Sequence, residues 1–268
     1  MKKVLNIFLV LILGLTLVGC QESKKEEEPA NVGDNTGEEE NLNFETITFS
    51  STDGLEITAD AYIVDETAPI IVMFHRANWS RGEYRYTAPR LNDLGFNVLA
   101  VDQRSGSEIG GVKNNTAKLA IEQGLGTEFA DAIPDAKAAV DYVINEMGYD
   151  EVLTWGSSYS TVLAVTTAIE NPEQVKGIIT YSPGGYFKYE GENLDYYLKD
   201  LDIPIYITGS KGEKIVSYDV YTDIEGDKKV FFEDEEVVGK HGSICLWPST
   251  KGFEKYWASL EDFLANYN

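Results

Sequence analysis

Three serines crowd one short stretch, Trp155-Gly156-Ser157-Ser158-Tyr159-Ser160, and two histidines, His75 and His241, stand far from it along the chain. A serine hydroxyl is a weak nucleophile until a base takes its proton, and histidine is the usual base. With a carboxylate to orient the histidine, these residues hold the material for acyl transfer. Metal chemistry has less to draw on. His75, His241 and Cys245 are the soft ligands beyond the N-terminal leader, and no two of them sit at helical or hairpin spacing. No metal site is expected from such a set. There is no glycine-rich phosphate loop either, so no cofactor is expected.

The elements that must position these residues can be read from periodicity. Residues 45–51 and 56–64 alternate in period two with Asp53-Gly54 between them, which predicts an opening hairpin. Residues 70–74 and 98–101 are solid apolar runs, suited to strands buried on both faces. Shorter or similar runs at 152–155, 175–181, 203–208 and 230–232 predict further strands. Helical spacing covers 83–94, 127–147, 158–169 and 253–264, with Pro134 kinking or restarting the second of these. A hairpin followed by repeated strand–helix alternation predicts a mostly parallel central sheet with helices on both faces. Ligands of such sheets bind beyond the carboxyl ends of the strands. That is where the serine cluster falls, between the strand at 152–155 and the helix that follows.

The ends of the chain set its organisation. Met1-Lys2-Lys3, an apolar run over 4–18 and then Leu17-Val18-Gly19-Cys20 form a secretory signal layout. The run is shorter than the ~20 residues of a comfortable membrane span. Residues 21–43 are rich in Glu, Asn and Gly and nearly free of large apolar side chains, a composition that predicts a solvated tether. The expected domains are therefore a signal at 1–19, Cys20 with an acidic tether at 20–43, and one folded domain at 44–268. The formal net charge is −23. Such a field repels phosphate backbones, so nucleic acid is excluded as a partner.

The stretch 155–160 resembles the G-x-S-x-G nucleophile elbow of α/β-hydrolases, with Ser160 in place of the last glycine. That elbow takes small residues two before and two after the nucleophile, because strand and helix approach closely there. Ser158 has Gly156 and Ser160 in those places. Ser157 would have Trp155 before it, and Ser160 would have Val162 after it. The resemblance implies the α/β-hydrolase fold and, in that fold, the chain order serine, acid, histidine. It points to Ser158 as nucleophile and His241 as base, with His75 placed before the oxyanion loop.

Hydrolases of the dienelactone-like branch commonly show Gly, two residues, Asp and an apolar pair at the acid. Counted from Gly209 the acid slot falls on Gly212; counted back from Ile215-Val216 it falls on Glu213. Glu213 is the expected acid, with one residue inserted, and Asp219 is its alternative. The same resemblance implies an oxyanion hole made by the backbone N–H of Tyr159 and that of Arg76 or Ala77. The stretches 73–84, Val101-Asp102-Gln103-Arg104-Ser105-Gly106 and Tyr181-Ser182-Pro183-Gly184 also resemble bacterial hydrolases near this branch. Trp79, Tyr186, Phe187 and Tyr159 are expected to line the substrate pocket. Asp102 and Arg104 are expected to pair with one another as scaffold, and residues 184–200 to form a small flap.

The ending Leu17-Val18-Gly19-Cys20 resembles the lipobox of bacterial lipoproteins, in which the cysteine carries the lipid. This implies an extracytoplasmic protein, lipid-anchored to the bacterial cell membrane through Cys20, and leaves Cys245 without a disulfide partner. Taken together, the expectation is a carboxylic-ester hydrolase acting on a small-molecule ester through a Ser-His-acid triad and an acyl-enzyme. Peptidase or thioesterase chemistry uses the same triad, and a non-catalytic binding lipoprotein is the reading from another class.

Overall fold

The apolar runs read from the sequence become the middle of one sheet. The computed structural model describes residues 43–199, 201–213 and 228–267. These all lie in the unit Glu38–Asn268. The expected signal, Cys20, most of the tether and Asp219 lie outside the described residues.

Among the described residues eight strands form one sheet in the order β1-β2-β4-β3-β7-β8-β9-β10. β1 (Glu45–Ser50) and β2 (Glu56–Tyr62) make the antiparallel hairpin, and β2 runs antiparallel to β4 (Asn97–Val101). From β4 onward the pairing is parallel, through β3 (Ile70–Phe74), β7 (Val152–Ser157), β8 (Val175–Tyr181), β9 (Ile205–Thr208) and β10 (Lys229–Phe232). A two-stranded ribbon, β5 (Glu108–Ile109) with β6 (Val112–Lys113), is followed by the helix α2 (Asn115–Glu122).

Because successive side chains of a strand point to opposite faces, each central strand feeds two cores. Ile70, Val72 and Phe74 of β3 pack on one face with Val162, Leu163 and Val165 of α4 (Ser160–Glu170). Ile71 and Met73 pack on the other with Leu91 of α1 (Thr87–Asp93) and with Trp257 and Leu260 of the C-terminal helix Phe253–Leu264. This is the α/β-hydrolase fold: a mostly parallel sheet with helices on both faces and an N-terminal hairpin.

Two expected elements differ in detail. The helix expected over 83–94 is a 3₁₀ turn, Arg81–Tyr84, followed by α1. The Ser80 hydroxyl accepts from the Gly82 N–H and starts the turn early. Buried ion pairs then hold Arg81 to Asp60 on β2 and to Asp102 after β4. The helix expected over 127–147 begins as a 3₁₀ turn, Phe129–Ala132, and continues as α3 (Ile133–Asn145) with Pro134 in its first turn. Proline is tolerated there because its missing N–H has no helical partner to lose.

Candidate active site

The nucleophile elbow is built by close approach. A Cβ on Gly156 would lie 2.3 Å from the Ser160 carbonyl oxygen, so only glycine lets β7 run so close to the first turn of α4. Ser160, standing where the elbow pattern has its last glycine, uses its hydroxyl. Its Oγ accepts from the Ser157 N–H at 2.8 Å and lies 2.6 Å from the Phe74 carbonyl. That ties the elbow to the end of β3. Ser158 itself has φ +60, a left-handed conformation that costs a non-glycine residue on the order of 1–3 kcal/mol and persists where surroundings impose it. Its N–H donates to the Tyr181 carbonyl at 2.8 Å.

The structure brings Ser158, His241 and Glu213 together. His241 Nε2 lies 2.7 Å from Ser158 Oγ, and His241 Nδ1 is hydrogen-bonded to Glu213 Oε1. Glu213 ends the short turn Lys211–Glu213 after β9. Its Oε2 accepts from the Ser182 hydroxyl at 2.6 Å and from the Ser210 N–H at 2.8 Å. Burial alone would raise its pKa. The hydrogen bond and charge of His241, with Ser182 and Ser210, hold it instead at about 2. The Ser182 Oγ also accepts from the Gly242 N–H at 2.8 Å, so one hydroxyl joins the acid to the histidine loop. Gly242 has φ +80, and a Cβ there would lie 2.6 Å from Ser157 Oγ. The loop therefore seats His241 directly against the elbow.

Of the expected oxyanion donors, Arg76 is a correction. Its N–H donates to the buried Glu83 carboxylate at 2.7 Å and is spent there. The Ala77 and Tyr159 amides donate to no protein acceptor among the described residues. β3 and β7 are parallel neighbours with Phe74 opposite Gly156, so the loops carrying these two amides leave the sheet side by side. The Arg76 side chain reaches across instead, donating to the His241 carbonyl at 3.0 Å and lying over the Trp79 ring.

The expected pocket residues divide. Tyr186 donates its hydroxyl to the Ser182 carbonyl at 2.8 Å, which places its ring beside the loop that supports Glu213, and burial raises its phenol pKa. Trp79 is half-buried beside Trp247, and Phe187 is half-buried against the core. The Tyr159 ring, expected in the pocket, is wholly buried and stacked on Phe129 at 4.4 Å, so it is core. A cavity of about 630 Å³ opens at the amino ends of β8 and β9, lined by Ile169, Lys176, Tyr196, Leu201 and Pro204, and holds none of the candidate residues.

Asp102 and Arg104 do not pair with each other. Asp102 holds Arg81, while Arg104 holds Asp135 and Asp53. The reason is direction: consecutive turns after β4 send Asp102 toward the 3₁₀ turn and Arg104 toward α3. His75 is wholly buried, with Nδ1 at 2.8 Å from the Arg76 carbonyl and Nε2 at 3.0 Å from the Asn114 amide. That arrangement fixes a neutral ring, and burial takes its pKa down to about 4. Burial pushes the Cys245 thiol up to about 12, which keeps it from competing as a nucleophile. Among the described residues no group of histidine, cysteine and carboxylate side chains is arranged to hold a metal ion.

Sequence reasoning missed Glu83, Ser157 and Ser182, whose side chains join the loops of the site. Ser182 belongs to the quoted stretch 181–184, and its φ of +54 would have marked it only once the backbone was known.

No curated protein matches the chain by sequence. Among solved structures it is similar to a dienelactone hydrolase from Anabaena variabilis, at 14% identity, TM-score 0.63, covering 84% of this chain and 97% of that one. It is also similar to an esterase from Pyrococcus furiosus, at 16% identity, TM-score 0.60, covering 84% and 93%. A carboxyl esterase from Bacillus coagulans aligns at 12% identity, TM-score 0.61, covering 84% and 98%. At such identities the likeness is one of fold. The family model described as serine aminopeptidase, S33, matches residues 65–219, a span that includes Ser158 and Glu213 and ends before His241. The chain thus belongs to that family of α/β-hydrolases and is an enzyme of the serine-hydrolase type.

Proposed function

We propose that the chain is a carboxylic-ester hydrolase in which Ser158 is the nucleophile, His241 the general base and Glu213 the residue that orients it. The observation that carries this reading is the 2.7 Å separation of His241 Nε2 from Ser158 Oγ, with Ser158 held at φ +60. His241 takes the hydroxyl proton as Ser158 Oγ attacks the ester carbonyl. The tetrahedral oxyanion is met by the Tyr159 and Ala77 amides. His241 then gives its proton to the leaving alcohol, and the acyl group stays on Ser158. Water, deprotonated by the same histidine, releases the acid and restores the serine. Glu213 fixes the Nδ1–H tautomer and stabilises the imidazolium that forms in each half. The esterase names of the structural neighbours favour an ester substrate.

An aminopeptidase on the same triad is the second reading, favoured by the description of the matching family. Aryl esters and aminoacyl anilides, compared by kcat/KM, separate the two.

The test is a fluorophosphonate probe, which phosphorylates an activated serine. The wild type should label and hydrolyse short-chain aryl esters. Ser158→Ala should do neither, and His241→Ala should lose at least about a hundredfold in kcat. Labelling of Ser158→Ala, or near-normal turnover by His241→Ala, would sink the assignment.

The place of action belongs to the same reading. The chain is exported and held at the outer side of the cytoplasmic membrane by lipid on Cys20, on the strength of the leader, the lipobox-like ending and the acidic tether. Among the described residues no helix is long and apolar enough to cross a membrane.

A further inference from the structure

Glu83 lies in the 3₁₀ turn after the oxyanion loop, wholly buried, and the steps of hydrolysis give it no proton to move. Its contacts reach three loops. Oε2 accepts from the Arg76 N–H at 2.7 Å, on the oxyanion loop. Oε1 accepts from the Ser157 hydroxyl at 2.6 Å, on the elbow. Ser157 Oγ in turn accepts from the Ser243 N–H at 3.0 Å, on the histidine loop. The Glu83 backbone carbonyl accepts from Trp247 Nε1 at 3.0 Å, further along that loop. Three of the four bonded residues stand next to, or two from, one assigned a chemical part: Arg76 beside Ala77, Ser157 beside Ser158, Ser243 two after His241.

We infer that Glu83 is a positioning residue, a buried carboxylate that holds the Ala77 amide, the Ser158 hydroxyl and the His241 ring in register. The assignment rests on the serine-hydrolase reading above.

Two features argue that a carboxylate is required there. Both groups facing it, the Arg76 N–H and the Ser157 O–H, donate. A carboxylate presents two acceptors to them, whereas the amide of glutamine presents one acceptor and one donor. The second feature is cost. Burial raises the Glu83 pKa, and its bonds to Ser157 and Arg76 only partly offset this. A buried acid is expensive, and stability alone is served as well by neutral packing. Residue 76 shows what the expense achieves. Its N–H is held by Glu83, and its carbonyl by His75 Nδ1 at 2.8 Å and the Trp79 N–H at 3.3 Å. In a trans peptide the N–H points opposite to the carbonyl. The Ala77 N–H is thereby turned away from His75 and locked in direction.

The experiment compares the wild type, Glu83→Gln, Ser157→Ala and the double variant on an aryl ester. Each kcat is normalised to active sites titrated with a fluorophosphonate. Affinity for a boronic acid, which forms a tetrahedral adduct on the serine, is measured alongside. Glu83→Gln should lower kcat per titrated site roughly 10- to 100-fold, the scale of a misplaced oxyanion donor. KM should change by no more than about threefold, and boronate affinity should fall with kcat. A merely structural glutamate would lower the thermal midpoint and the number of titratable sites, and leave kcat per site alone. That result, within twofold of wild type, overturns the inference.

Should Glu83→Gln fail to fold, Ser157→Ala cuts the same link at the elbow with the loss of one oxygen. Its kcat per site should fall about tenfold, and a wild-type value overturns the inference. The double variant should be no slower than the slower single, because both break one network; multiplied effects overturn it. A wild type that neither labels nor turns over would remove the hydrolase reading itself. Wild-type turnover with an unaltered Glu83→Gln removes only the role of Glu83.

Discussion

Glu213 faces opposing forces that its neighbours resolve. Burial works against its charge, while His241, Ser182 and the Ser210 amide hold its pKa at about 2 against an ordinary 4.5. A depressed carboxyl pKa adds stability that is complete above about 4.5 and lost as pH falls through about 2. Glu213 is thus ionised throughout the neutral and mildly acid range. Glu213→Gln keeps the shape and removes the charge, and its amide can turn a donor toward Nδ1, imposing the wrong tautomer. The variant should fold, bind ester with little change in KM, and lose about 10³–10⁴ in kcat. Steady-state kinetics beside a thermal melt would check this, and a loss below tenfold would move the acid's part to another carboxylate. Ser158 and His241 were legible because the small residues around one are local in sequence and chain order selects the other. Glu83 was not. Its bond to Ser157 spans 74 positions and its bond to Trp247 spans 164, so nothing near it in sequence signals burial. A glutamate between Gly82 and Tyr84 reads as a solvated charge until the fold closes over it.

At the scale of elements, the junction of β7 and α4 carries the greatest constraint. Gly156→Ala places a methyl 2.3 Å from the Ser160 carbonyl oxygen and 2.5 Å from the Thr161 Cα. Both are backbone in the first turn of α4, which cannot rotate aside as a side chain can. The substitution should destabilise the chain by about 1–3 kcal/mol, the usual cost of overpacking. It should also lower kcat further than that loss explains, because the shifted turn carries Ser158. Denaturant midpoints with per-site kcat test it; a stable, fully active Gly156→Ala would show that the elbow has slack. The strands at this junction were legible because a run buried on both faces has no polar interruption, as in β3 and β4. The segment 81–93 was less so: helical spacing does not reveal that Arg81 is drawn to two buried aspartates, and that pull ends one turn and delays the next. The ribbon of β5 and β6 has two residues per strand, too few for any period to show.

The whole molecule poses a problem of attachment. The chain carries a formal net charge of −23, which disfavours adsorption to anionic lipid. The described residues supply no crossing helix. In the proposed export, membrane residence comes from acyl chains on Cys20, each buried CH₂ adding about 0.8 kcal/mol of affinity. This separates the proposed lipid anchor from every electrostatic alternative. In a membrane fractionation the wild type should sediment with membranes, resist a high-salt wash and come off in detergent. Cys20→Ala should appear in the soluble fraction with its per-site esterase activity intact, since Ser158, His241 and Glu213 all lie within the unit Glu38–Asn268. Salt release of the wild type would indicate adsorption through a charged patch instead. Continued sedimentation of Cys20→Ala would mean that the apolar run at 4–18 stays in the bilayer as an uncleaved anchor, and the lipid would then have no part in holding the enzyme there.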